Sequence, residues 1–493
     1  MDLTRRQLLA AMPLAAARTS APRSRPNILF LMADQHRGDC LSAGGHPAVR
    51  TPNLDRLASQ GVRFRHAYSS TPTCTPARAC LLTGMSPWNH GMLGYSRVAG
   101  RYPVEMPRLM KAAGYFTMAV GKLHYTPQRN YHGYDLALLD ESGREESIDF
   151  RSDYRSWFRS QAPNLDPDAT GIGWNDYKGK AYVLPERLHP TRWTADVAVS
   201  FLETWQRAEP FFLKVSFARP HSPYDPPQRW MDAYQDAPIP EPAVGRWASR
   251  NEARNTERDD LWRGRLPADE IRTARQAYYG SVSFIDEQIG RILSALEKRG
   301  WLENTLILYT SDHGDMTGDH HLWRKSYAYE PSARIPMIVC GLNAAGGKTL
   351  DAPAELRDIL PTFLDAAGAE IPPSVDGRSL LAAAAGRPWR SMLDLEHDIC
   401  YAPENNWNAL TDGKTKYIFH AFDGREQLFD LVADPMERNE ITEEARLRPW
   451  RERLIAHLEP RGGFYVKGGK LALRPQGQKH SPNYPSPGPM PAL

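Results

Sequence analysis

The sequence is short of several features that would settle its class at once. It holds only five cysteines in 493 residues, at positions 40, 74, 80, 340 and 400. That spacing fits neither a paired-cysteine zinc site nor the dense framework of a disulfide-stapled module. Charge is nearly balanced, 61 basic against 58 acidic residues for a net +3. Such a balance leaves no excess to argue for nucleic acid or an anionic membrane as partner. Past residue 25 no run approaches the ~20 apolar residues that a bilayer span needs. No internal repeat is visible, which excludes a solenoid or propeller.

What is there describes a folded chain with elaborate loops. Hydrophobic residues make up 41% and aromatics 10%, too apolar for disorder and enough to bury a large core. One big domain with a smaller one is expected. Prolines number 41 and glycines 36, which favours long shaped loops over helical repeats.

The chain opens with Arg5-Arg6 ahead of Leu8-Leu9-Ala10-Ala11-Met12-Pro13-Leu14-Ala15-Ala16-Ala17, a short, mildly apolar stretch ending in small residues. Residues 1–25 therefore read as a cleaved export signal. The paired arginines favour the twin-arginine route, which carries folded proteins across the bacterial inner membrane. The mature protein is then expected in the periplasm or outside the cell, with no membrane attachment. Cleavage removes five basic residues and one acidic residue, leaving a chain so close to neutral that any attraction for an anion must be local.

Apolar runs then alternate with helical patterns. That is the signature of an α/β fold with a large, mixed, mainly parallel sheet flanked by helices. Strands are expected at Ile28–Met32, Phe116–Val120, Phe211–Phe217, Thr305–Thr310 and Pro336–Cys340. Thr51-Pro52-Asn53 opens a helix, with Thr51 as its cap and Gly61 past its end. Another helix carries Ile285, Ile289, Ile292, Leu293 and Leu296 on one face and stops at Gly300. Residues 141–190 and 225–270 are rich in Pro, Asp, Arg and Trp without a clear period. They read as long loops of the kind that carries specificity. A boundary near Gly386 and Pro388 separates a catalytic domain (26–385) from a small C-terminal α+β subdomain (386–465). Strand signals there are Lys416–Phe419 and Gln427–Leu431, and an irregular, proline-rich tail (466–493) follows.

Four of the apolar runs lead into groups that can do chemistry. The first runs into Asp34, the second into Lys122 and His124, the third past Arg219 to His221, and the fourth into Asp312 and His313. Ligands of parallel α/β sheets gather outside the carboxyl ends of the strands. Each residue alone has a plainer use, as a helix cap, a turn or a structural histidine. Four such coincidences favour a metal-assisted hydrolase, since carboxylates with a histidine beside them suit a divalent cation.

One motif narrows the class. Cys74-Thr75-Pro76-Ala77-Arg78, followed by Thr83-Gly84, resembles the Cys-X-Pro-X-Arg…Thr-Gly signature of the type I sulfatases, within the alkaline-phosphatase-like superfamily. Ala77 replaces the serine commonest in that family. The resemblance runs from Pro26 to about Glu440. It takes in Pro26–Phe30 leading to Asp34, the Thr51–Ala58 helix, Gly114 through His124, Thr305–Gly314, and Gln427–Leu431 with Asp434-Pro435. Two pairs depart from the commonest pattern. Asp34-Gln35 stands where many sulfatases have two aspartates, and Asp312-His313 where many have Asp-Asn. Both variants occur in the wider superfamily, including choline sulfatases and phosphonate monoester hydrolases.

The resemblance implies a set of roles. A dedicated formylglycine-generating enzyme would convert Cys74 to formylglycine, whose hydrated form attacks sulfur and later expels sulfate through its second hydroxyl. Asp34, Asp312 and His313, with position 74, would hold one divalent metal, calcium by family default and manganese or magnesium as alternatives. Gln35 could offer a carbonyl oxygen. Arg78 would steady the diol, although an arginine so placed often simply pairs with a carboxylate. Lys122 and Lys325 would bind the sulfate oxygens, His124 would act as base and His221 as acid toward the leaving alcohol, with Lys325 able to assist. Glu396 and His397, with Asn405-Asn406-Trp407-Asn408, are candidates for substrate contact, equally readable as a rim loop. The leading expectation is an exported sulfatase acting on an organic sulfate ester, with a sulfated carbohydrate as one candidate. Alternatives are a phosphonate monoester or phosphodiester hydrolase on the same scaffold, and an inactive relative that only binds sulfated glycans. Oligomeric state and the pairing of Cys40, Cys80, Cys340 and Cys400 stay open.

Overall fold

Asn27–Asp34 (β1) is buried at all eight positions, the mark of a parallel strand covered on both faces. The computed structural model to which it belongs describes residues 25–485, apart from 148, 258, 259, 343 and 345. The leader, Arg25 excepted, and the last eight residues of the tail lie outside that range. The other strands of the main sheet are Val62–Phe64 (β2), Phe116–Gly121 (β3), Leu136–Leu139 (β4), Phe211–Pro220 (β5), Thr305–Ser311 (β6), Met337–Cys340 (β7) and Lys348–Leu350 (β8). They run in the order β4-β3-β5-β1-β6-β7-β2-β8. Every pairing is parallel except those of β7, which runs antiparallel to β6 and β2.

Alternation along β1 divides the core. Ile28, Phe30 and Met32 face one apolar layer, with Leu81, Leu82, Leu360 and Phe363. Leu29, Leu31 and Ala33 face the other, with Leu54, Phe201, Ile285 and Ile289. The helices supplying these residues are Pro52–Gln60 (α1), Cys74–Thr83 (α2), Pro190–Thr204 (α4), Ala268–Lys298 (α5) and Ile359–Ala367 (α6), with Asp153–Gln161 (α3) and Glu444–Leu458 (α7) beside them.

Three expectations need correcting. Residues 141–190 include α3, whose Ser152 hydroxyl accepts the Arg155 N–H at 3.2 Å. Its buried face rests on Tyr154 and Phe158, an i, i+4 pair too sparse to show a period. The span 225–270 holds the helical turns Gln228–Ala233 and Arg246–Asn251, and α5 begins at Ala268. The first half of α5 buries mainly Ala274, Ala277, Tyr278 and Tyr279, with Ile271 and Val282 its only large aliphatic residues, so its periodicity is muted. Thr51 precedes α1 but makes no capping hydrogen bond. The Asp286 carboxylate caps α1 instead, accepting the N–H groups of Asn53 (3.1 Å) and Leu54 (2.8 Å).

A second sheet, antiparallel, is built from Leu393–His397 (β9), Trp407–Thr411 (β10), Thr415–His420 (β11) and Glu426–Asp430 (β12). One face packs on α7 through Leu410, Tyr417, Phe419, Leu428, Leu454 and Leu458, and the other joins the main body. Trp407, Ile418 and Phe429 share one apolar cluster with Tyr68, Tyr327 and Tyr329. Lys416 Nζ meets Glu330 at 2.7 Å and Glu437 at 3.1 Å across the same seam. Past a short pairing of Val466–Lys467 with Lys470–Leu471, the chain returns to the main body, where Leu93 N–H donates to Lys479 and Ser481 N–H to Gly91, both at 2.9 Å. All five cysteines are free thiols, and among the described residues no helix is long and apolar enough to cross a membrane.

Candidate active site

Four central strands and the start of α2 deliver the site. β1 ends on Asp34, Lys122 follows β3, His221 follows β5 and Asp312 follows β6, so all four arrive at one edge of the sheet. Cys74 is the first residue of α2, where unpaired backbone N–H groups and the helix dipole favour a negative charge. Every residue of α2 is buried, and it closes on Gly84 at φ +67°. A Cβ there would sit 2.9 Å from Val375 and 3.1 Å from Leu360, which explains the Thr-Gly of the motif. Backbone strain gathers in the same region, with positive φ at Gln35 (69°), His124 (60°), Arg324 (64°) and Ser326 (79°).

Asp34, Cys74, Asp312 and His313 each offer a ligand atom, and these atoms lie within 4.8 Å of one another. His313 Nδ1 donates to the Gly314 carbonyl at 2.9 Å, leaving Nε2 facing Cys74 Sγ at 3.1 Å. Asp34 Oδ1 is fully buried without a hydrogen-bond partner. An orphan carboxylate oxygen beside a second carboxylate, an imidazole and a thiol is a donor set that fits a divalent cation.

Cations crowd this cluster. The Arg78 guanidinium spans both carboxylates, Nη2 to Asp34 at 2.8 Å and Nε to Asp312 at 3.0 Å, and its Nη1 donates to the Lys122 carbonyl at 2.7 Å. It fixes the two acids and is itself buried, the pairing role open to it from the start. Lys122 Nζ forms a close ion pair with Asp34. Burial works to raise the Asp34 pKa, but Lys122, His221, Arg78 and His313 hold it well below the usual carboxylate range. Burial and Asp34 likewise push the Cys74 thiol up, yet Lys122, Lys325 and His313 bring it down to about 6. The site is therefore built to carry an anion at position 74.

His221 and Lys325 act as a pair. His221 Nδ1 donates to the Ser222 carbonyl at 2.9 Å, so its Nε2 accepts from Lys325 Nζ at 2.8 Å. Burial, then Lys325 and Lys122, push the imidazole well below its ordinary pKa, which keeps it neutral. Lys325 also donates to Gln35 Oε1 at 2.8 Å, and the Gln35 amide donates to Asp315. The carbonyl oxygen of Gln35 is thus occupied by an ammonium. His124 meets Arg144 Nη1 at 3.1 Å, and burial with Arg144 and Lys122 lowers its pKa well below the ordinary value.

Glu396 and His397 are taken up by other contacts. Arg461 takes both oxygens of the Glu396 carboxylate. His397 is buried between the Asn405 carbonyl (2.9 Å) and the Thr73 hydroxyl (3.0 Å). It props the residue before Cys74 and has no free nitrogen for a substrate. Of the amides beside it, Asn406 donates to the Arg474 carbonyl and Asn408 accepts from Arg474, while Asn405 Nδ2 is buried without a partner. Sequence reasoning missed Glu141, whose Oε1 accepts the N–H of Leu123 (3.0 Å) and His124 (2.9 Å) and so shapes the turn carrying Lys122. It missed Asp315, which anchors Gln35 and Tyr224, and Arg144. None of these carries a spacing signal, because each comes from a loop that meets the site only in the fold.

The sheet, its loaded edge and the donor set define a hydrolase of the alkaline-phosphatase-like class, with a cationic site whose donors fit a divalent metal. The chain belongs to the sulfatase family and is a sulfuric ester hydrolase: the Sulfatase profile matches residues 26–369. A profile described as N-sulphoglucosamine sulphohydrolase, C-terminal, matches residues 318–461. The chain is 39% identical over 470 residues to an arylsulfatase of Clostridium perfringens, covering 91% of this chain and 97% of that one. Among solved structures, one in complex with its substrate D-glucosamine-2-N,6-O-disulfate superposes with a TM-score of 0.71 at 27% identity, covering 89% and 97% of the two chains. The phosphonate monoester hydrolase of Agrobacterium radiobacter superposes with a TM-score of 0.73 at 26% identity, covering 88% and 95%.

Proposed function

We propose that this protein releases sulfate from an organic sulfate ester at Cys74, with a sulfated carbohydrate as the preferred class. The observation that carries the reading is the buried Asp34–Cys74–Asp312–His313 cluster ringed by Arg78, Lys122 and Lys325. The sugar preference is supported by the disulfated glucosamine bound to the solved relative. Asp34, Asp312 and His313, with position 74, would hold one divalent cation, calcium first and manganese or magnesium as alternatives. When bound, it would polarise a sulfate oxygen and favour ionisation of the nucleophile. A formylglycine-generating enzyme would convert Cys74 to the aldehyde, whose hydrate supplies the attacking hydroxyl.

The chain's own groups do the rest. Arg78 holds the two carboxylates in register. Lys122 and Lys325 meet the charge on the sulfate oxygens as it shifts during S–O cleavage. Because His221 is neutral and accepts from Lys325, the proton for the leaving alcohol comes from Lys325, and His221 holds that ammonium in place. This reverses the emphasis of the sequence reading, in which His221 was the acid. His124, also neutral, is the base. The leader supports maturation by export to the periplasm or beyond. A second reading, phosphonate monoester hydrolysis, is favoured by the Asp34-Gln35 and Asp312-His313 pairs.

Side-by-side rates on 4-nitrophenyl sulfate and on a 4-nitrophenyl phosphonate separate the two. Protein made with the maturation enzyme should favour the sulfate, and Cys74→Ala should abolish release while leaving the melting temperature near that of the parent. Preference for the phosphonate would overturn the sulfatase reading.

A further inference from the structure

Two guanidinium groups near the cluster have no assigned work. Arg324, the neighbour of Lys325, is 5% exposed, and its Nε and Nη2 are buried with no hydrogen-bond partner. Its guanidinium lies 5.3 Å from the centre of the Tyr401 ring. Arg144 packs against the exposed ring of Trp174 at 5.3 Å. Its Nη1 meets His124 at 3.1 Å, while its Nη2 is buried and unpartnered. Neither arginine forms an ion pair with a described carboxylate, whereas Arg78 and Lys122 beside them are each ion-paired. Removing a cation from water without a counter-charge costs several kcal/mol. A protein that buries Arg324 so, and leaves the half-buried Arg144 without a counter-charge at the same site, is set up for an anion that arrives from outside.

Both groups belong to the mouth of this site. The Tyr95 ring lies 6.2 Å from that of His124, which Arg144 contacts. Arg324 directly precedes Lys325, which is bonded to His221 and Gln35. The Tyr401 hydroxyl is itself buried without a partner. The loop that brings Tyr401 beneath Arg324 is strained, with positive φ at Ile399 (40°) and Tyr401 (66°), as built binding surfaces often are. The reacting sulfate already has Lys122, Lys325 and the metal cluster.

We propose that Arg144 and Arg324 bind a second anionic group of the substrate, so that the preferred ester carries a carboxylate or a further sulfate beside the one it loses. Tyr95, Trp174 and Tyr401 supply flat apolar surface for the ring that bears both groups. The proposal rests on the sulfate-ester reading and narrows it to dianionic esters.

The test uses ortho-, meta- and para-carboxyphenyl sulfates, each against the methylphenyl sulfate of the same pattern, with benzene-1,3-disulfate to separate carboxylate from sulfate recognition. The parent protein should favour at least one dianionic ester by about tenfold or more in kcat/KM, the range of one charge-assisted hydrogen bond. Arg324→Gln and Arg144→Gln should each lower that ratio several-fold, mainly through KM, while Arg→Lys at either position restores part of it. A ratio near one in the parent, or equal losses on both members of a pair, would overturn the proposal and assign the arginines to the reacting sulfate. Should no ester be cleaved, the sulfatase reading fails separately. Calorimetry on Cys74→Ala then decides the subsite alone, hydroxybenzoates binding more tightly than cresols if the proposal holds and equally if it does not.

Discussion

Lys325 and His221 share one hydrogen bond, and in the proposed mechanism the side chain that holds its proton serves the leaving alcohol. The geometry favours Lys325, because the His221 Nδ1–H donates to the Ser222 carbonyl and leaves Nε2 to accept. Lys325→Ala should therefore slow release of poor leaving groups by a factor on the order of 10²–10⁴ and release of 4-nitrophenol far less. His221→Ala should weaken all substrates more evenly. A steeper leaving-group dependence in the histidine variant than in the lysine variant would return the acid role to His221. At this scale the sequence was highly legible where a motif or a strand end marks the residue: Asp34, Cys74, Arg78, Lys122, His221, Asp312, His313 and Lys325 converge. It was opaque where the residue's partner comes from afar. Glu396 stood beside a histidine and amides, yet Arg461, which claims it, is 65 positions away.

Among the elements, those buried on both faces were the easiest to read. β1, β3, β5 and β6 appear as near-continuous apolar runs, broken by Thr117 in β3 and by Lys214 and Ser216 in β5, because helices cover the sheet above and below. α3 and the first half of α5 were hidden because aromatic and small residues replaced the aliphatic stripe. The C-terminal sheet shows how separate elements are tied. Asp394 on β9 meets Arg357 of the main body at 3.0 Å and His457 of α7 at 3.3 Å. Burial works to raise its pKa, but Arg357, His457 and Arg461 hold it well below the carboxylate range. A carboxylate depressed in this way stabilises the fold above its unfolded pKa of ~3.9, and that gain is lost as pH falls toward the folded value. Asp394→Asn should cost about 2 kcal/mol at neutral pH. The gap to the parent should narrow by about 1.4 kcal/mol per pH unit below ~4. Urea midpoints measured across that range check it, and a gap independent of pH would show that the pairing is not the source.

The whole molecule is nearly neutral, with three more basic than acidic residues before any processing. Any affinity for an anionic ester must therefore be local, held in Lys122, Lys325 and the two unpaired arginines together with the cation proposed for the Asp34–Cys74–Asp312–His313 cluster. An ion held there would tie the ends of β1 and β6 to the start of α2, so its removal should be felt by the fold as well as the chemistry. A chelator should lower the melting temperature by several degrees and stop turnover, with calcium restoring both. An unchanged melting temperature would mean that the cluster holds no ion. The odd cysteine count also acquires a meaning at this scale. All five thiols are unpaired, and Cys74 alone sits among metal-binding groups.

The most direct test of the account is the mass of the Cys74 peptide, measured in preparations graded in their exposure to the maturation enzyme and compared with their rate of sulfate release. The rate should rise in proportion to the fraction of Cys74 converted to aldehyde and extrapolate to zero without it. Full turnover by protein whose Cys74 is entirely thiol would contradict the account.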